Sequence, residues 1–146
     1  MNHFFLNKLF YSLNNEAVNY CVLRGYEGLP ELVKNDVDFG VSTEDIKFFF
    51  NILHQTALCS EYKINLELIR FQVIKLKLTK NKCESIKIDV WWGFNYVGFH
   101  YINIKELLIS RRLYNNKLYV PSNEYEFALS FLKELLHNNW IRKDKR

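Results

Sequence analysis

The sequence predicts an α+β fold of one domain, and three observations carry that expectation. Apolar residues at helical spacing open and close the chain, runs of alternating or β-branched character fill its middle, and the links between those runs are short. No internal repeat, low-complexity segment or linker interrupts the 146 residues, a length that suits a single hydrophobic core.

The elements follow in order. Phe4, Phe5, Leu9, Phe10 and Leu13 predict an amphipathic helix over 3–14. VNYCVLRG is rich in β-branched and aromatic residues and stops at Gly25, so it reads as a strand. A loop with Gly28 and Pro30 follows, and its ELVK portion has room for one or two helical turns. DVDFGV is the second strand. Ser42, with Glu44 and Asp45 behind it, reads as a helix start whose acidic first turn matches the dipole. Ile46, Phe49, Phe50, Leu53 and Ala57 continue that helix on one face.

FQVIKLKLT and SIKIDVWWG predict further strands, antiparallel because the link TKNKCE is short. INIKELLISRRL reads as a helix and KLYVP as a short strand or extended link. The last helix opens at Ser122 or Asn123, with Asn123 and Glu126 at capping-box spacing. Its stripe of Phe127, Phe131, Leu132, Leu135 and Leu136 is expected in the core.

Composition excludes several classes. With 49% hydrophobic and 25% charged residues, the chain does not have the make-up of a disordered protein. No apolar stretch approaches the roughly 20 residues that span a bilayer, and Asn and Lys interrupt the opening segment too often for a signal peptide. A cytoplasmic protein without membrane association is expected. Cys21, Cys59 and Cys83 are odd in number and lie among apolar neighbours, which suits buried hydrophobes rather than disulfides. The scattered histidines lack zinc-ligand spacing, and no RNA-binding signature is present, so no specific nucleic acid is expected. Much of the net charge of +4 lies in the tail residues Arg142, Lys143, Lys145 and Arg146, which read either as a solvated end or as a contact for a phosphate-bearing ligand.

The second strand poses a chemical question. Side chains alternate along a strand, so Asp36, Asp38 and Gly40 share one face while Val37, Phe39 and Val41 take the other. The two aspartates then lie about 7 Å apart at their Cα atoms, and their repulsion calls for a cation between them. Magnesium, a hard ion held through one or two carboxylates plus substrate phosphates, is the natural choice. The bland alternative is a pair of carboxylates facing water or paired with a lysine. Asp89 adds weight to the first reading, because its strand turns Ile86, Ile88 and Val90 to one side and Lys87, Asp89 and Trp91 to the other.

Gly25 ends an apolar strand, nine residues separate Tyr26 from Asp36, and Asp89 lies on a later strand. This arrangement resembles the nucleotidyltransferase superfamily that includes DNA polymerase beta. Its signature is a Gly followed by Gly or Ser, a spacer of this length, Asp-x-Asp or Asp-x-Glu, and one more Asp on a later strand. The strings LRGYE, DVDFGV and KIDVWWGF also resemble small proteins met in bacterial surface-polysaccharide biosynthesis.

The resemblance implies a mixed or antiparallel sheet of about five strands with helices packed on one side. It also implies Mg²⁺ or Mn²⁺ held by Asp36, Asp38 and Asp89, which are likewise the implied catalytic residues, with Asp89 orienting an attacking hydroxyl. Gly25, with Tyr26 in the place of the superfamily's Ser, is the implied contact to a nucleoside triphosphate, and Arg24 at the strand end is read beside it as a further candidate contact. The activity implied is transfer of a nucleoside monophosphate to a hydroxyl or phosphate of a small-molecule, sugar or protein acceptor. Tyr26 departs from the superfamily's Ser, and its hydroxyl has a different reach. A catalytically degenerate relative that binds a nucleotide or a partner protein is the other reading. The small size leaves little room for an acceptor domain, so a homodimer or a partner protein is expected.

Some residues keep two readings. Arg24 suits a phosphate or the neutralisation of Asp36, Asp38 or Glu27. Lys75 and Lys77 line a phosphate groove or guard an edge strand. Adjacent Trp91 and Trp92 cannot both face one pocket, and Trp92 is assigned to the core.

Overall fold

The computed structural model describes residues 2–34 and 36–137; the basic tail read above lies outside them. Along the chain come α1 (Asn2–Asn15), β1 (Tyr20–Val22), β2 (Val37–Val41), α2 (Ile46–Cys59), β3 (Lys63–Arg70), β4 (Val73–Asn81) and β5 (Glu84–Trp91). A hairpin of β6 (Phe94–Tyr96) and β7 (Phe99–Ile102), α3 (Ile104–Ile109), a second hairpin of β8 (Arg112–Tyr114) and β9 (Leu118–Val120), and α4 (Asn123–His137) complete it. The result is a mixed α+β fold. Among the described residues no helix is long and apolar enough to cross a membrane.

The sheet has the strand order β1-β2-β5-β4-β3. β2 and β5 run parallel at its centre, while β1 against β2, β5 against β4 and β4 against β3 are antiparallel. Alternation assigns one face to Val37, Phe39 and Val41 of β2 and to Ile86, Ile88 and Val90 of β5. Against these residues pack Phe5, Leu6, Leu9, Phe10 and Leu13 of α1 with Phe49, Ile52 and Leu53 of α2. The opposite face carries Cys21 and Leu23 under Ile104, Leu107 and Leu108 of α3, with Leu129 and Leu132 of α4 beside them. Gly40 belongs to that face: an added Cβ would stand 2.8 Å from Leu23 Cδ2 and 3.3 Å from Ile104 Cδ1. Helices therefore cover both faces of the sheet, not one as expected.

Other local expectations are corrected. α2 begins at Ile46, because the Asp45 carboxylate turns away to accept the Asn19 backbone N–H at 2.8 Å and Ser42 Oγ accepts only the N–H of Asp45. The helix expected over 102–113 divides into α3 and β8, with Ser110 closing α3 through a bond from Oγ to the Leu107 carbonyl. β4 is an interior strand, so its lysines do not guard an edge. Cys21 is buried, but Cys59 and Cys83 are exposed; all three are free thiols. On α4, Phe127 and Phe131 are 70% and 40% exposed, and Leu135 is exposed with them. Of the expected stripe Leu132 does pack inward, joined by Tyr125, Ala128 and Leu129.

Candidate active site

Parallel pairing of β2 with β5 sets Asp38 directly beside Asp89. Paired residues on neighbouring strands lie about 4.8 Å apart and point to the same face, so both carboxylates emerge on the side covered by α3 and α4. Both are buried, at 3% and 4% exposure, whereas Asp36, just before β2, is exposed. Burial, first, raises the Asp89 carboxyl above the ordinary aspartate value, and the negative charges of Asp38 and Asp36 push in the same direction. Asp89 therefore lies within electrostatic reach of both Asp38 and Asp36.

Each buried carboxylate has a cation from this chain. The Lys75 ammonium donates to Asp89 Oδ2 at 2.6 Å, a pairing dictated by the register of β4 on β5, where Lys75 stands opposite Asp89. Lys75 lowers the Asp89 pKa, but less than burial raises it. The Arg24 Nε–H donates to Asp38 Oδ2, and the Trp91 indole N–H reaches Asp38 Oδ1 at 3.4 Å. The Arg24 side chain stays 49% exposed, so its guanidinium is accessible from solvent while it holds Asp38. One step along the same face, Lys77 stands opposite Lys87, and the two acids border a strip of ammonium groups.

Gly25 has φ +65°, in the left-handed region, and a Cβ built there would meet nothing within 4 Å. Glycine is needed for its backbone angle, not for space. Tyr26 turns inward from the next position. Its ring packs edge-on against Tyr114 with centroids 4.9 Å apart, and its hydroxyl donates to Glu126 Oε2 at 2.9 Å while accepting from Arg112 Nη2 at 3.0 Å. Burial and the Glu126 carboxylate push the Tyr26 hydroxyl up to about 12. The fold thus brings Asp38, Asp89 and Arg24 together, sets Asp36 at their edge, and directs the Tyr26 hydroxyl to α4 and β8.

Beside Asp38 a recess opens between the sheet and α4, lined by Arg24, Asp38, Trp91, Phe94, Tyr101 and Glu134 among others. Trp91 and Phe94 stack with their planes 13° apart. Glu134 is only 4% exposed. Phe94, Tyr101 and Glu134 were not singled out from the sequence; the one signal for Glu134 is a charged residue embedded in the apolar run FLKELL.

The donor chemistry of the paired aspartates fits a hard divalent cation, since it offers carboxylate oxygens and their mutual repulsion favours added positive charge. Asp38 and Asp89, with Asp36 at the rim, are the residues that would hold such an ion. Among the described residues, no three acidic, histidine or cysteine side chains stand grouped as a ready metal cage. No protein-family model matches the chain, and no curated protein matches it.

Proposed function

We propose that this chain is a nucleotidyltransferase of the DNA polymerase beta-like superfamily, using Mg²⁺ or Mn²⁺ to move a nucleoside monophosphate from a nucleoside triphosphate to an acceptor. The observation that carries this reading is the side-by-side pairing of Asp38 and Asp89 on parallel central strands. Two buried acids from segments far apart in the sequence share one face, although burial penalises the charge of Asp89. Buried acids with perturbed titration cluster at functional sites.

A divalent ion supplies electrostatic stabilisation of the charge that develops on the transferred phosphoryl group. This chain's residues perform the remaining tasks. Asp38 and Asp89 hold the ion, Asp36 adds charge at the rim, and Asp89 orients the acceptor hydroxyl. Arg24 and the Lys75, Lys77 and Lys87 strip attract the polyphosphate of the donor. Gly25 shapes the turn that carries Arg24 past the end of β1. Tyr26 ties that turn to α4 and β8 through Glu126 and Arg112, which is a positioning role rather than the phosphate contact of the superfamily's Ser.

A second reading, a degenerate relative that binds a nucleotide or a partner without catalysis, is favoured by the ion pairs Lys75–Asp89 and Arg24–Asp38, which neutralise the acids from within. Calorimetric titration with each of the four common nucleoside triphosphates, with and without Mg²⁺ or Mn²⁺, separates the two. The transferase reading expects metal-dependent binding that Asp38→Ala abolishes. Binding indifferent to both metal and substitution selects the degenerate relative.

A further inference from the structure

On the face that carries the acids, two lysines oppose each other across the sheet. β4 sets Lys77 directly opposite Lys87 of β5, and Lys87 lies two residues from Asp89, about 7 Å away at the Cα atoms. Like charges directly opposite on a sheet are destabilising, and neither ammonium has an ion-pair partner among the described residues. Lys87 is exposed and Lys77 half-buried. Lys75, by contrast, is occupied by Asp89. The strand order β1-β2-β5-β4 puts Lys77 on the β4 side of the acids, whereas Arg24 meets Asp38 from the end of β1, and β1 and β4 are three interstrand spacings, about 14 Å, apart. In phosphoryl-type transfer the entering and leaving oxygens lie roughly in line. A donor whose polyphosphate is held at Arg24 therefore meets its acceptor from the β4 side, past Lys77 and Lys87. Attraction of the donor by these charges from a distance needs no contact with them.

Resting on the transferase reading above, we infer that Lys77 and Lys87 form an acceptor subsite for a phosphate monoester, so that the acceptor is a small hydroxylated molecule already bearing a phosphate. The dianion relieves the repulsion of the opposed ammonium groups and holds the acceptor's hydroxyl near Asp89. That hydroxyl oxygen bonds to the α-phosphorus of the donor, the bond from this phosphorus to its bridging oxygen breaks, pyrophosphate leaves with the electron pair, and the hydroxyl proton passes to solvent. A nucleic-acid strand calls for a longer basic groove with aromatic rings to stack its bases, and the flanking positions Lys63, Asn65, Thr79 and Ser85 supply no ring.

Titration of the ¹⁵N-labelled chain with glucose 6-phosphate, glucose and a single-stranded oligothymidylate, at physiological ionic strength and without nucleotide or divalent metal, tests this through the backbone amides of Lys77 and Lys87. Glucose 6-phosphate is expected to shift them, and glucose is not. Lys77→Gln and Lys87→Gln are each expected to weaken glucose 6-phosphate at least about tenfold, the scale of one charge-assisted hydrogen bond. Lys47→Gln, the same change of charge at an exposed position of α2, is expected to leave it unaltered. An equal response to glucose, an equal loss in Lys47→Gln, or tighter binding of the oligothymidylate overturns the assignment. So does displacement of glucose 6-phosphate by a nucleoside triphosphate with Mg²⁺, which would make the two lysines part of the donor's site. If glucose 6-phosphate fails to bind while metal-dependent nucleotide binding persists, the acceptor assignment alone falls. If it binds through both lysines but no nucleotide binds, the phosphate site stands and the transferase reading falls.

Discussion

The two faces of the central sheet are built from the same strands and do opposite things. On the α1 and α2 side, Val37, Phe39, Val41, Ile86, Ile88 and Val90 belong to one large apolar cluster, and Phe39 touches the rings of Phe10, Tyr20 and Phe49. On the α3 and α4 side, the alternate positions of β2 and β5 hold Asp38, Gly40, Asp89 and Trp91. Apolar burial on the first face stabilises the sheet enough for charge to be held on the second, where burial of Asp89 raises its pKa. One face is apolar core and the other holds the buried acids, and the two-residue period of a strand keeps them apart.

Substitutions on the two faces sharpen this contrast. The largest effect is expected for Phe39→Ala, which opens a cavity in the all-apolar face and should lower the unfolding free energy by about 3–5 kcal/mol in denaturant melts. A loss below about 1 kcal/mol there would show that this face is not the main source of stability.

A smaller effect, of characteristic sign, is expected at Asp89. Its folded-state pKa lies above the ordinary value of 3.8, so the folded protein holds the proton more tightly than the unfolded chain does. The group's contribution to stability is then most favourable below that value and declines as pH rises through the raised one. Asp89→Asn, which does not ionise, should lack this decline. In melts across the acid range, wild type should therefore lose stability relative to the variant as pH increases from about 3.8. A relative gain would mean that Lys75 outweighs burial.

The smallest effect is expected on α4. Phe127→Ser touches a ring that is 70% exposed, so the unfolding free energy should change by no more than about 0.5 kcal/mol. A loss of 2 kcal/mol or more, the scale of a buried aromatic, would contradict the exposed placement.

Periodicity made much of this legible in the chain. The strict alternation of DVDFGV and SIKIDVWW announced which residues leave the core, and the structure adds that the two strands are neighbours in matched register, a long-range fact that no local pattern carries. α1, α2 and α4 follow from their spacing, but the inward side of α4 does not. FALSFLKELL offers apolar residues around more than one stripe, and only packing against Ile104 and Leu107 selects Leu129 and Leu132 over Phe127 and Phe131. The β6–β7 hairpin was missed because FNYVGFHYI lacks a clean alternation, and with it went Phe94 and Tyr101. Lys75 was visible as one of two alternating lysines. Its partner Asp89 depends on β4 lying inside the sheet, which the sequence reading placed at an edge.

The most direct test of the central claim, that Asp38 and Asp89 act together on one divalent ion, is Mn²⁺ binding followed by electron paramagnetic resonance in the presence of a nucleoside triphosphate. Wild type, Asp38→Asn, Asp89→Asn and Asp36→Asn are compared, all checked for folding by circular dichroism. Losses of at least about tenfold for each of the two buried positions, with a smaller loss at Asp36, are the predicted result. Wild-type affinity retained in either Asp38→Asn or Asp89→Asn would contradict it.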